Sequence, residues 1–357
     1  MALTRRGKVV AGVIATLAVV GGATGAFMLL NSDASGEPVP IDTNGDGDPD
    51  ATTTEPTSEP CPLTGVLSSE GTPDRPVLAI KVEESPEARP QVGLDAADIV
   101  VEQPVEGNIT RLIAIFHCRD AERVGPVRSA RLMDAAFLPQ FGSPLFGYAG
   151  GASQTIARIQ QADLVDLSYT IAVSAFERDP SRAMPHNLYT STDALYEAGG
   201  DRGGEPVPAF TYARGTGKAR RATSIHLPYN PSIADISWEW DRGTGRWLRS
   251  IGGEPAVLED GSRISARNVV VLEAREQPTD IFDASGTRSY EVIVSGSGRA
   301  FVFRGGKMIQ GTWSKDSPED PLTMVRPNGG EIDLTPGNTW VAFYGNPDNT
   351  LKFQPST

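Results

Sequence analysis

Between residues 77 and 344 the apolar positions fall into short blocks separated by Gly, Pro, Asp and Ser, and in the first half most blocks are continuous rather than alternating. Residues 77–82 read as a strand, 99–101 begin a second that breaks at Pro104, and 110–118 give a third that is almost wholly apolar. A continuous apolar run argues that this third strand is covered on both faces, and strands alternating with helices indicate an α/β or α+β layer arrangement. Helical spacing runs over 130–138, with Leu132, Ala135, Ala136 and Leu138 apolar and Ser129 standing where an N-cap belongs. Residues 144–149 form a further strand. Gly150-Gly151-Ala152-Ser153 then leads into a helix ending near Gln161, and a last short helix over 193–198 takes Thr192 as its cap.

After Ile225 helical spacing gives way to short strands. Residues 236–241 and 246–250 alternate about Gly243-Thr244-Gly245 as a hairpin does, and 269–273, 290–295, 300–304, 307–313 and 339–344 are further strands, with Gly305-Gly306 as another tight turn. The pattern predicts an α+β chain. An α/β-like domain at 61–222 carries an arginine-rich strand-turn-helix, and a mostly β domain follows at 223–357. All five tryptophans lie in the second domain, where core or interface packing accounts for them better than carbohydrate stacking.

The N-terminal sixty residues have a different character. Arg5, Arg6 and Lys8 precede 22 uncharged residues, 9–30, and about 20 suffice to cross a bilayer as a helix. The basic residues stay on the cytoplasmic side, which places the body outside. A signal anchor over 1–30 in the cell membrane is the expectation; Ala23-Thr24-Gly25-Ala26 keeps a cleaved signal peptide, and hence secretion, as the alternative. No cysteine follows the segment, so it offers no lipid attachment. Residues 31–60, with eight acidic residues and no basic one, read as a disordered stalk. Within it Asp42, Asn44, Asp46 and Gly47 are spaced like half a calcium loop, but Thr53 stands where a bidentate glutamate is needed, so a solvated acidic linker is expected.

The net charge is −13, from 32 basic and 45 acidic residues. An acidic body lacks the basic face that nonspecific nucleic-acid binding requires. Against this background the segment RVGPVRSAR, Arg123 to Arg131, concentrates cations, with Arg111 a little upstream. Guanidinium groups at a helix start suit phosphate or carboxylate. The candidate anion site is therefore Arg111, Arg123, Arg128, Ser129 and Arg131. Glu83, Asp98 and Glu102 would orient the arginines or hold a divalent cation. Polar residues of the loop FERDPSRAMPHN, namely Arg182, His186 and Asn187, would border the site. The competing interpretation is ordinary ion pairing of the arginines with Glu102, Glu106 and Glu122. The Gly-rich stretch 199–221, with Arg214, Lys218, Arg220 and Arg221, reads as a basic connection. Cys61 and Cys118 would form one disulfide if the body is exported, or remain two thiols otherwise.

Taken in order, the strand ending in Glu83-Glu84 with SPEARPQVGL, then ADIVVEQPVEGNITR, RVGPVRSAR, AGGAS, PHNLYTS, NVVVLEA and GTWSK resemble the YerB-like family of bacterial extracytoplasmic proteins. The resemblance covers about residues 76–344 and implies a location outside the cytoplasm and a domain of unknown function, often in lipoproteins. This chain departs in lacking the lipid-attachment cysteine and in carrying Glu83-Glu84 where the family tends to Asp-Asn. A looser, fold-level likeness to the LytR, CpsA and Psr group implies lipid-linked pyrophosphate as a ligand class. Three functions follow: a binder of an anionic envelope ligand, an envelope enzyme acting on a lipid-linked glycan or phosphoryl group, and a module docking another envelope protein. No Ser-His-Asp spacing, HExxH or P-loop supports a standard enzyme class.

Overall fold

The computed structural model describes residues 59–68, 71–215, 217–282 and 286–345. The expected membrane segment at 1–30, the calcium-like loop and nearly all of the acidic stalk lie outside them. Among the described residues no helix is long and apolar enough to cross a membrane.

Strands dominate, with three α-helices of six to eight residues. In chain order the first segment gives β1 (Leu78–Glu83), β2 (Ile99–Pro104), β3 (Thr110–Phe116), α1 (Leu132–Phe137), β4 (Leu145–Tyr148), α2 (Ser153–Ile159), β5 (Val165–Ser168) and α3 (Thr192–Gly199). The second gives β6 (Ser224–Asn230), β7 (Ala234–Asp241), β8 (Arg246–Ile251), β9 (Asn268–Glu273), β10 (Glu276–Phe282), β11 (Arg288–Val292), β12 (Gly296–Arg304), β13 (Lys307–Lys315), β14 (Thr323–Val325) and β15 (Thr339–Tyr344).

Strands from both segments share one mixed sheet in the order β14-β13-β12-β9-β15-β2-β3-β1-β4-β5, with Arg220–Arg221 pairing beside β13. The chain passes the expected boundary at 222/223 just before β6, but the sheet does not stop there. β15 lies parallel to both of its neighbours, Val341 opposite Val270 on β9 and Val101 on β2. All six of its residues are buried, which is why its sequence, TWVAFY, reads as a continuous run.

Each sheet face has its own core. Leu78, Ile80, Leu112, Ala114, Val269 and Val271 face a smaller sheet built on β6, β7 and β8, whose Trp238 and Trp247 are fully buried. Ala79, Ile99, Val101, Ile113 and Ile115 face α1, through Met133, Ala135 and Phe137. Trp313 and Trp340 are buried as well and Trp240 is half-buried, so packing accounts for most of the tryptophans.

Two helix starts differ from the sequence expectation. Ser129 does not cap α1. Residues 128–130 run extended, with Arg128 N–H donating to Lys81 O at 2.8 Å and Ala130 N–H to Gly150 O at 2.8 Å. The helix begins only at Leu132, and the Asp134 carboxylate accepts from Arg131 N–H at 2.7 Å. For α3 the cap is Ser191, which accepts from Ala194 N–H at 3.1 Å, while the Thr192 hydroxyl lies 3.0 Å from Ala121 N and accepts from it.

Candidate functional site

The sheet register places Glu83, Arg111 and Gln103 side by side across β1, β3 and β2, at the end of β1. A cleft of about 640 Å³ opens above that row. The extended segment before α1 supplies Arg128, Ser129 and Arg131, the turn after β2 supplies Glu106, and the loop before residue 188 supplies His186. The turn that aims this segment at the cleft requires glycine at 125, where a Cβ would come within 2.6 Å of the Tyr189 ring. Ile109, with Ile281, Phe282 and Ser289 of the β10–β11 ribbon, forms another wall.

Two of the three arginines are already paired. Arg128 Nε lies 3.0 Å from Glu83 Oε1, but at an angle that leaves its N–H short of a hydrogen bond. Glu83 also accepts from the Ser85 hydroxyl at 3.1 Å, and its other oxygen lies 3.0 Å from His186 Nδ1. Arg131 donates to Glu106 from Nε at 3.1 Å and Nη2 at 2.5 Å, and Ser289 donates to the second Glu106 oxygen. Burial alone would push the Glu106 carboxyl up, but Arg131 and Ser289 outweigh it and hold it below the usual range.

Arg111 differs. It is 6% exposed and its guanidinium donates to Ser129 O at 3.0 Å. No carboxylate among the described residues comes within ion-pair distance of it. Burial first, then the like charges of Arg131 and Arg128, push it down to about 9. The cleft thus carries three guanidinium groups and the carboxylates of Glu83, Glu87 and Glu106, and the buried Arg111 is the guanidinium that none of these carboxylates contacts.

Beneath the floor Lys81 and Asp134, both fully buried, pair at 2.6 Å, and Gln103 donates to the same carboxylate at 2.9 Å. Burial brings Lys81 down to about 8 against the opposing pull of Asp134. The second Asp134 oxygen holds Arg131 N–H, so this network fixes the arginine segment from below. Lys81 was legible as a neighbour of Glu83, because strand alternation puts residues two apart on one face. Ile281, Phe282 and Ser289 had no such signal.

Several sequence candidates lie elsewhere. Arg123 stacks 3.7 Å over the Tyr189 ring and pairs with Asp179 at 2.6 Å and Glu259 at 2.7 Å. Arg182 donates to the Tyr189 hydroxyl at 2.5 Å and to Arg89 O at 3.0 Å, and Asn187 accepts from Arg178 at 2.7 Å. Asp98 accepts from His117 N–H and Cys118 N–H, at the opposite end of β2 from the cleft, about 17 Å away at the rise of an extended strand. Glu102 points through the other face: it accepts from Arg249 at 2.7 Å and Trp340 Nε1 at 2.8 Å, and Arg249 also binds Glu84 at 2.6 Å. Glu83, Asp98 and Glu102 are therefore not assembled around any one cation. Cys61, His117 and Cys118 do converge, but the two sulfurs are joined in a disulfide. With α1 only six residues long, the case for an anion rests on side chains rather than on a helix terminus.

Comparison with known proteins adds a family and a fold. Two domains described as parts of a protein of unknown function (DUF3048) match in order, the N-terminal domain over residues 63–205 and the C-terminal domain over 225–341. YerB of Bacillus subtilis (strain 168), named as a candidate lipoprotein, is 28% identical over 289 residues, covering 78% of this chain and 84% of its own length. The crystal structure of YerB protein from Bacillus subtilis matches with a TM-score of 0.69 and 27% identity, over 81% of this chain and 97% of that one.

Proposed function

The chain belongs to the DUF3048 family of YerB-like proteins, and from that premise we propose that it works outside the cytoplasm, where it binds an anionic ligand in the cleft at Arg111. The ligand class is phosphate, pyrophosphate or carboxylate. One observation carries the reading: a buried guanidinium that no carboxylate among the described residues contacts, flanked by two more arginines, on the floor of an open cleft. At about 4 Å from such a group an anion gains on the order of 4 kcal/mol at an effective dielectric near 20, with no carboxylate to displace first. The relative's name as a lipoprotein and the Cys61–Cys118 bond both fit an oxidising compartment outside the cytoplasm.

The test is isothermal titration of the full chain with pyrophosphate, phosphate and acetate. At least one binds, Arg128→Ala weakens it and Arg111→Met abolishes it. Binding that survives Arg111→Met unchanged would overturn the proposal.

A further inference from the structure

A second group of cations lies at the other side of the main sheet, five strands along from β3 in the strand order, or about 24 Å at the usual strand spacing. Three segments distant in sequence meet there. Arg220–Arg221 pairs with the start of β13, Arg221 opposite Lys307. Ala222 N–H donates to Gly306 O at 3.1 Å and Trp240 N–H to Thr223 O at 2.9 Å, which ties this short strand to both the β12–β13 turn and β7. Arg242 follows in the β7–β8 hairpin. The result is a cleft of about 440 Å³ lined by Arg221, Trp240, Arg242 and Lys307, with no carboxylate in its lining.

The arginines here are not paired like those of the first cleft. Among the described residues the exposed side chains of Arg220, Arg221 and Arg242 make no ion pair or hydrogen bond, and the Trp240 indole N–H donates to nothing. Trp240 is half-buried, tilted against Trp247 with ring centroids 5.3 Å apart. The turn beside it is shaped to admit the ring. Gly306 has φ +68°, and a Cβ there would come within 2.7 Å of Trp240 Nε1. In a chain of net charge −13, Arg221 and Arg242 thus come from separate segments to line one cleft with the Trp240 indole.

The chemistry narrows that partner. Guanidinium forks fit planar carboxylates two oxygens at a time. An indole offers a flat apolar surface and an edge donor, which suit a ring-bearing ligand and add nothing for a bare ion. We infer that this cleft is a second binding site, for an acidic polysaccharide whose carboxylates meet Arg221 and Arg242 and whose sugar ring lies against Trp240.

The full chain is titrated calorimetrically with oligogalacturonate, neutral dextran, polyphosphate and single-stranded DNA. Oligogalacturonate binds and dextran does not. Arg221→Ala and Arg242→Ala each weaken oligogalacturonate about tenfold, the scale of one charge-assisted hydrogen-bonded contact, while Arg111→Met leaves it unchanged. Trp240→Ala weakens oligogalacturonate but not polyphosphate. Should that variant misfold, the two exposed arginines still decide the matter. The inference is overturned if oligogalacturonate fails to bind, if neither arginine substitution changes its affinity, or if polyphosphate or DNA binds as tightly with the same dependence on Trp240.

Discussion

Replacing Arg111 by methionine should make the protein more stable and blind to its ligand at once. Each pKa unit corresponds to about 1.4 kcal/mol. A guanidinium held at about 9, well below its ordinary value, carries a penalty with an upper value on the order of 5 kcal/mol. Methionine keeps most of the buried stem and removes the charge, but gives up the bond to Ser129 O, about 1–2 kcal/mol. A net gain of about 1–3 kcal/mol is expected, measured by urea unfolding of the full chain at pH 7. In saturating pyrophosphate, at about 100 times its dissociation constant, the wild type should gain about 2.7 kcal/mol and the variant nothing. The pH dependence has a definite sign. A base whose folded pKa is depressed binds fewer protons folded than unfolded between the two values, so wild-type stability gains from this group as pH rises above about 9. The variant lacks that contribution. A loss of about 2 kcal/mol or more at pH 7 would refute the reasoning, because Arg111 would then be a structural anchor rather than a charge held for a ligand.

Arg249→Met leaves Glu84 and Glu102 buried without their shared cation and should cost about 3–5 kcal/mol. Burial already holds Glu84 above the ordinary carboxylate range, so the loss should be smaller at pH 5 than at pH 8; equal losses in urea titrations at both would assign it to packing instead. Reduction of Cys61–Cys118, which spans 57 residues, should lower stability by about 4 kcal/mol on loop entropy. Melting with and without reductant reads this directly, and an unchanged midpoint would mean the segment before β1 is held without the bond.

The strands legible in the sequence are those buried on both faces. β3, β9 and β15 carry long apolar runs because neither side meets water. β10, with Glu276, Gln277, Thr279 and Asp280, sits in a two-stranded ribbon and offers no such block. The arginines of the cleft were legible as a concentration of charge, but their neighbours depended on single-residue steps. Gln103 turns to Asp134 beneath the cleft and Glu102 to the opposite core, and no composition argument separates them. Arg123 and Arg128 share a segment, yet the Gly125–Pro126 turn sends one to Asp179 and Glu259 and the other to Glu83. Ser129 has the form of a cap, and only the pairing of Ala130 with Gly150 shows that the helix has not begun.

β15 is the last strand of the main sheet to be synthesised among the described residues, and it fills the slot between β9 and β2. Until it arrives, two strands that are apolar on both faces each expose a free edge, the kind of surface that pairs with another copy of itself. The halves matched at 63–205 and 225–341 therefore cannot mature one after the other as the chain emerges. The edge of β2 must wait, guarded, for a stretch more than two hundred residues behind it. A product cut short before Thr339 would lack the strand that joins the halves and would present both open edges to whatever surveys unfinished chains.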